Sequence, residues 1–303
     1  MNLQTLDLKH TGIRILPSSV WKLQKLRHLY MNKFHRSKIP HQPRGNFLQN
    51  LQLHQPRANF LQNLQTLRGA FVDKDSYMKD ELYRLINLRK LKMAFQLSLS
   101  QQEAMAKSLV KLTHLITLKL ESIDEMGLPQ DLNVKCFSGP ENLSCLYLFG
   151  KLKNPNPPII IHFNGLPMSI TTLTLSASRL SNDPMPELEK LHNLNSLSFY
   201  SDSYTGTSMV CSNGGFPQLQ VLKFWMLKEL EEWKIEEQAM PNLKKLEIRS
   251  CEKLMVPRGL SHIKTLHELR LKNMTAEFTA KIEATKDEIW GDIVHSPTII
   301  NMW

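Results

Sequence analysis

The strongest constraint on this chain is a leucine pattern that returns along almost its whole length. In the stretch Leu112-Thr-His-Leu-Ile-Thr-Leu-Lys-Leu120 the leucines are spaced 3, 3 and 2. The last step puts two side chains on one face of a strand, because strand side chains alternate between faces. The first two steps suit a turn or a helix end that feeds the strand. Units opened in this way begin at Leu3, Leu26, Leu64, Leu88, Leu115, Leu143, Ile170, Leu194, Leu219, Leu243 and Leu266. Consecutive starts lie 23 to 28 residues apart, except for one step of 38.

A period of this length with an L-x-x-L-x-L core is the signature of a leucine-rich-repeat array. It predicts an α/β solenoid of about eleven repeats. Each repeat supplies one short parallel strand and a return segment on the convex side, and the units curve into a horseshoe with the sheet on its concave face. The long step contains a near copy: residues 41–52 recur at 54–65, an offset of 13. This reads as a tandem duplication, over residues 41–65, within one return segment. Its Pro43 and Pro56 argue against a regular element there. The period fails after Leu271, so the array is assigned to residues 1–274. Residues 275–303 are assigned to a C-terminal cap and tail, with Phe278, Ile282 and Ile289 at helix-compatible positions. Among the return segments, Gln101–Lys111 reads as a helix with Ser100 as N-cap, and Met78–Leu85 reads similarly. Asn154–Pro158, Ser201–Ser208 and Asn213–Gly215 read as loops.

Composition narrows the function classes. Apolar residues make up 42% of the chain, enough for a continuous core, yet no run is long enough to span a bilayer. The first residues lack the layout of a secretory signal. Cys136, Cys145, Cys211 and Cys251 are widely spaced with no C-x-x-C, which suits reduced thiols and a cytoplasmic location. The formal charge is +10, but Lys and Arg are scattered among acids. No dense basic tract or nucleic-acid module is present, so the balance favours an acidic protein surface over nucleic acid. The eleven histidines form no metal-binding spacing, and His114, His192 and His267 sit at variable positions suited to the surface. No H-E-x-x-H, G-x-S-x-G or phosphate-loop motif occurs, so no catalytic residue, cofactor or metal is expected.

More specific than the leucine spacing are the segments LQTLDLKHTGIRILPSSVWKLQKLRHLYM (residues 3–31), LPMSITTLTLSASRLSNDPMPELEKLHNLNSLSF (166–199) and FPQLQVLKFWMLKELEEWKIEEQAMPNLKKLEIRSCEKLMVPRGLSHIKTLHELRL (216–271). They resemble the leucine-rich repeats of plant intracellular nucleotide-binding leucine-rich-repeat disease-resistance proteins, the class with a coiled-coil N-terminus. Thr11, Ile13, Leu16 and Pro17 are similar to the second half of that family's repeat, and Cys251 falls where the family places a small buried polar residue. The resemblance implies a recognition module of a plant innate immune receptor. Its protein partner would be a pathogen effector or the receptor's own nucleotide-binding domain. The family's switch and coiled-coil domains would precede Met1, so nucleotide exchange is not assigned to this chain. A first repeat with no cap before it is expected to leave an apolar edge uncovered and the chain prone to aggregate.

Side chains between the strand leucines face the concave side and are available for recognition. They include Lys90 and Lys92, Lys119, Tyr147 and Phe149, Tyr200, Lys223 and Trp225, and Lys245 and Arg249. Aromatic rings among cations suit a partner-binding face, although such rings can equally pack as cross-strand pairs. An alternative function is a general intracellular adaptor, such as the substrate-recruiting repeat domain of a ubiquitin ligase. A binding module is preferred to an enzyme, because the fold presents surface instead of a closed pocket.

Overall fold

The structure, a computed structural model, describes residues 2–33, 36–40, 61–76, 78–133, 139–153, 161, 163, 165–285, 287, 290 and 298–302. The duplicated stretch 41–60, the proline-rich stretch 154–158, Cys136 and Ile289 lie outside the described residues. The chain forms two compact units, Met1–Leu143 and Ser144–Trp303.

A strand starts two residues after each of the eleven opening residues. In the first unit these are β1 (Thr5–Asp7), β2 (His28–Tyr30), β3 (Thr66–Asp73), β4 (Lys90–Gln96) and β5 (Thr117–Ser122). All four neighbouring pairs are parallel and in register, so that Leu6, Leu29, Leu67, Leu91 and Leu118 form one row. The second unit carries β7 (Cys145–Phe149), β9 (Thr172–Ser176), β10 (Ser196–Tyr200), β12 (Val221–Trp225), β14 (Lys245–Arg249) and β15 (Glu268–Lys272). Its row runs Leu146, Leu173, Leu197, Leu222, Leu246 and Leu269. From Leu29 onward, every member of the two rows is at most 1% exposed. Burying each such side chain contributes about 2 kcal/mol, which offsets the cost of ordering the repeat. The chain is a leucine-rich-repeat solenoid.

Asparagines add a clasp that leucine spacing does not reveal. An asparagine precedes the opening leucine in six repeats, and past the first (Asn2) these are Asn63, Asn87, Asn142, Asn193 and Asn242. Each Nδ2 donates to a carbonyl of the preceding repeat, at 2.8 or 2.9 Å: Gln24, Gln62, Thr113, Met168 and Pro217 in turn. Parallel strands that touch only through short ladders gain a second tie from these bonds.

The return segments are mixed. In the first unit, α1 (Met78–Glu81) continues as a 3-10 turn, and α2 (Leu99–Leu109) is the longest helix among the described residues. The N-cap of α2 is Ser98, not the expected Ser100. Ser98 and Gln101 form a reciprocal capping box, which Ser100 is too late in the chain to make. Gln102, buried in this helix, donates to the Asp131 carbonyl and accepts from the Asn133 N–H, so it holds strand β6 (Asp131–Asn133). The second unit adds β8 (Lys151–Lys153) and the short helix α3 (Met185–Leu188). The polar stretch after Tyr200 is not loop throughout: Ser208–Cys211 is strand β11 and pairs in parallel with β13 (Glu232–Ile235). Met209, Cys211, Trp233 and Ile235 alternate inward, a short period-2 pattern hidden between turn residues.

Beyond Leu271, α4 (Ala276–Ala284) is capped by Thr275, whose side chain accepts from the Phe278 N–H at 3.2 Å. Phe278, Ile282 and Trp290 are buried. Thr298–Met302 then forms β16, parallel to β15, with Ile299 joining the leucine row opposite Leu269. At the other end, Leu3, Ile13 and Ile15 are 38, 39 and 66% exposed.

Leu246→Ala should lower stability by about 2–5 kcal/mol through the cavity it leaves, and Asn193→Ala by about 1 kcal/mol through the lost clasp; urea midpoints of the two variants test both. Ile15→Lys should raise the soluble fraction of the expressed chain by removing exposed apolar surface, as sedimentation of lysates would show.

Candidate functional site

The strand register that buries the leucines also lines up the side chains on the opposite face of the sheet. In the second unit two such rows stand out. One runs Tyr147, Thr174, Ser198, Lys223, Glu247 and Arg270; the next runs Phe149, Ser176, Tyr200, Trp225, Arg249 and Lys272. Tyr147, Phe149, Tyr200, Lys223, Trp225 and Arg249 are half-buried, and Lys245 is exposed.

Tyr200 and Trp225 stack with ring centroids 4.4 Å apart and planes at 20°. Lys223 Nζ and the Arg249 guanidinium lie 5.5 and 5.4 Å from the Trp225 ring centroid. The stack is thus a cross-strand pair and, at the same time, the centre of a cation–π group. Trp225 Nε1 is shielded and has no hydrogen-bond partner among the described residues, a donor left for a ligand to meet. Tyr147 and Phe149 are in the same rows, but one strand, β9, separates them from Tyr200 and the stack.

The lysines proposed from sequence are less free than their positions suggest. Lys223 pairs with Glu247 at 3.4 Å and Lys245 with Glu268 at 3.3 Å. Arg270 also engages Glu268. These acids belong to the face as much as the cations do. The signal for them was present: each occupies the same repeat position, one strand further on.

In the first unit, Lys90 is exposed, Lys92 is half-buried and Lys119 pairs with Glu121 at 2.9 Å. Glu121 faces outward by sequence pattern, yet it is only 7% exposed. Lys33 reaches it from the segment after β2, at 2.8 Å. Burial alone would raise the Glu121 carboxyl, but hydrogen bonds from Lys33 and Lys119 outweigh this and hold it below the usual carboxylate range. Glu121 pairs with Ala94 in the unbroken register of β4 and β5, and a bulge at Gly69 in β3, between Arg68 and Ala70, sets Phe71 opposite Ala94. Gly69 has φ +78°, and a Cβ there would lie 2.1 Å from the Met31 carbonyl oxygen, so no other residue fits.

Titratable groups on the return side of the second unit serve structure. Burial raises the carboxyls of Asp183 and Glu189. Both accept backbone N–H groups around β11, from Val210 and Ser212, at 2.8 and 2.7 Å. Tyr204, pushed up to about 12 chiefly by burial, donates to the Ser208 carbonyl. Cys211 and Cys251 are buried free thiols, and burial pushes both up, Cys251 to about 11. Buried neutral thiols of this kind are poor nucleophiles. His114, His192 and His267 are exposed, as expected from their positions. Among the described residues no group of three or more His, Cys, Asp or Glu could hold a metal ion, and no helix is long and apolar enough to cross a membrane.

With this geometry in place, comparison with known proteins decides the family. The profile of the family described as "Leucine-rich repeat region" matches residues 1–292. The chain belongs to that family. Among curated proteins of Arabidopsis thaliana, it is 34% identical over 235 residues to "Putative disease resistance protein At1g59780", covering 77% of this chain and 23% of that protein. It is 33% identical over 231 residues to "Disease resistance protein RPP8", covering 72% and 24%. A shorter stretch of 88 residues is 54% identical to "Probable disease resistance protein RF9", covering 29% and 8%. The chain therefore spans about a quarter or less of the length of these relatives. It is a leucine-rich-repeat region related to plant disease-resistance proteins, a repeat scaffold of the kind that serves protein interaction.

Because the Glu121 carboxyl is lowered on folding, its ion triad adds stability above the ordinary value of 4.5, and that stability is lost as pH falls through the lowered value. Unfolding midpoints measured from pH 7 to 3 should fall less steeply for Glu121→Gln than for the parent chain; equal slopes would dismiss the triad.

Proposed function

We propose that this leucine-rich-repeat region acts as the recognition surface of a plant innate immune receptor. It binds a protein, either a pathogen effector or the receptor's nucleotide-binding switch domain, which it restrains. The observation that carries this reading is the Tyr200–Trp225 stack flanked by Lys223 and Arg249, on the open face of the sheet. Rigid aromatics beside arginine are the side chains that dominate binding energy at interfaces. They lose little conformational freedom on binding, because the stack already fixes them. The alternating charges of Lys223, Glu247 and Arg270 would set the orientation of the partner more than the strength of the complex. Two supports come from outside the face: the similarity to disease-resistance proteins over most of the chain, and repeat segments that resemble the nucleotide-binding receptor class.

Tyr200→Ala with Trp225→Ala removes the stack and leaves the leucine row intact. Loss of one such anchor costs about 2 kcal/mol, or roughly thirtyfold in affinity. The double variant should therefore bind a separately expressed nucleotide-binding segment of this receptor class, or a cognate effector, at least thirtyfold more weakly. Its melting curve should still be cooperative. Parent-like binding by the folded double variant would place recognition on another surface.

A further inference from the structure

On the outer face, one level of the first unit differs in charge from the matching level of the second. In the second unit, charged neighbours at one level alternate in sign: Lys223, Glu247, Arg270. In the first unit, the equivalent level brings Arg68, Lys92 and Lys119 side by side on three adjacent strands. Neighbouring strands lie about 4.8 Å apart, and like charges directly opposite one another are destabilising. Lys9 and Lys33 also line this place, Lys9 already paired with Asp7 at 3.0 Å, and Glu121 is the one carboxylate among the lining residues. That carboxylate is already engaged by Lys33 and Lys119.

These six residues line a cleft of about 570 Å³. Its size lies in the range of small-molecule sites and is too small for a folded partner. Gly69, at the bulge in β3, is among the lining residues. Arg68 Nε is shielded from solvent with no acceptor among the described residues, while its guanidinium lies 5.8 Å from the Tyr30 ring centroid. A shielded, unanswered guanidinium N–H is costly unless an acceptor arrives. Lys92 has no ion pair among the described residues; burial first, then Arg68, Lys119 and Lys90, push its ammonium below the usual lysine value.

We propose that this cleft binds a small polyanion carrying two or more phosphate groups, with Arg68 and Lys92 as its main contacts and Lys9, Lys33 and Lys119 around them. A planar guanidinium favours phosphate oxygens in two-point contact, and lysines add charge without fixed geometry. Such a ligand would neutralise the row of cations and satisfy Arg68 Nε. Glu121 opposes the ligand and limits its affinity. The site is independent of the protein-binding face of the second unit.

Titration of the full chain with inorganic tripolyphosphate by calorimetry tests this. Saturable one-to-one binding is expected, little weakened by equimolar sulfate. Arg68→Gln with Lys92→Gln should weaken binding at least tenfold. Glu121→Gln should strengthen it several-fold, a gain that misfolding could not produce. Lys245→Gln, in the second unit, should leave it unchanged. Absence of saturable binding, equal displacement by sulfate, or no gain from Glu121→Gln would overturn the proposal. Tighter, length-dependent binding of an RNA oligonucleotide at the same residues would also overturn it, by pointing to an extended chain instead of a small ligand.

Discussion

In-register parallel pairing is the constraint on which everything else in this molecule rests. Each strand is only a few residues long and could not persist alone. It persists because its inward leucine meets the equivalent leucine of the next repeat in a dry row. A shift of one residue would turn those leucines to solvent, so the register is specified at every step. The outward residues inherit that register without contributing to it. Their neighbours are chosen by the pairing, and a repeat that changes one outward residue changes a single site in a fixed grid.

That grid explains the contrast between the two faces. In the second unit, the level of Lys223, Glu247 and Arg270 alternates in sign, and Trp225 gathers Tyr200, Lys223 and Arg249 around one ring. In the first unit, three cations occupy one level, and the Glu121 carboxylate, two residues beyond Lys119 on the same strand, engages one of them. The sheet is the same in both. The difference lies wholly in residues that the fold leaves unconstrained, where function can be written without loss of packing.

Most of the architecture was legible in the leucines. The opening residues from Leu3 to Leu266 locate eleven strands because burial on one face has a period that sequence displays directly. The helix start at Ser98 was misplaced because Ser98 and Ser100 are both competent caps, and only the reciprocal bond with Gln101 separates them. Strand β11 was not foreseen, and Ser208 was read as loop, because its four residues sit between polar turn segments and its partner β13 lies more than twenty residues away. The candidate face was legible as positions and not as partnerships. Lys119 and Lys223 were visible, and Glu121 lies two residues beyond Lys119 on the same strand face, but the engagement of Lys223 by Glu247 required the register. Lys33 was hidden altogether, since it reaches Glu121 from an irregular segment eighty-eight residues earlier.

The asparagine clasp carries a consequence for how such an array can change through descent. Asn87, Asn193 and Asn242 each reach back exclusively to the repeat before them. Excision or copying of one whole repeat would present each surviving asparagine with an equivalent carbonyl, whereas a partial excision would strand it. Gene rearrangement that respects the period is thereby tolerated, and the array can lengthen, shorten and reshuffle its outward residues while its frame stays the same.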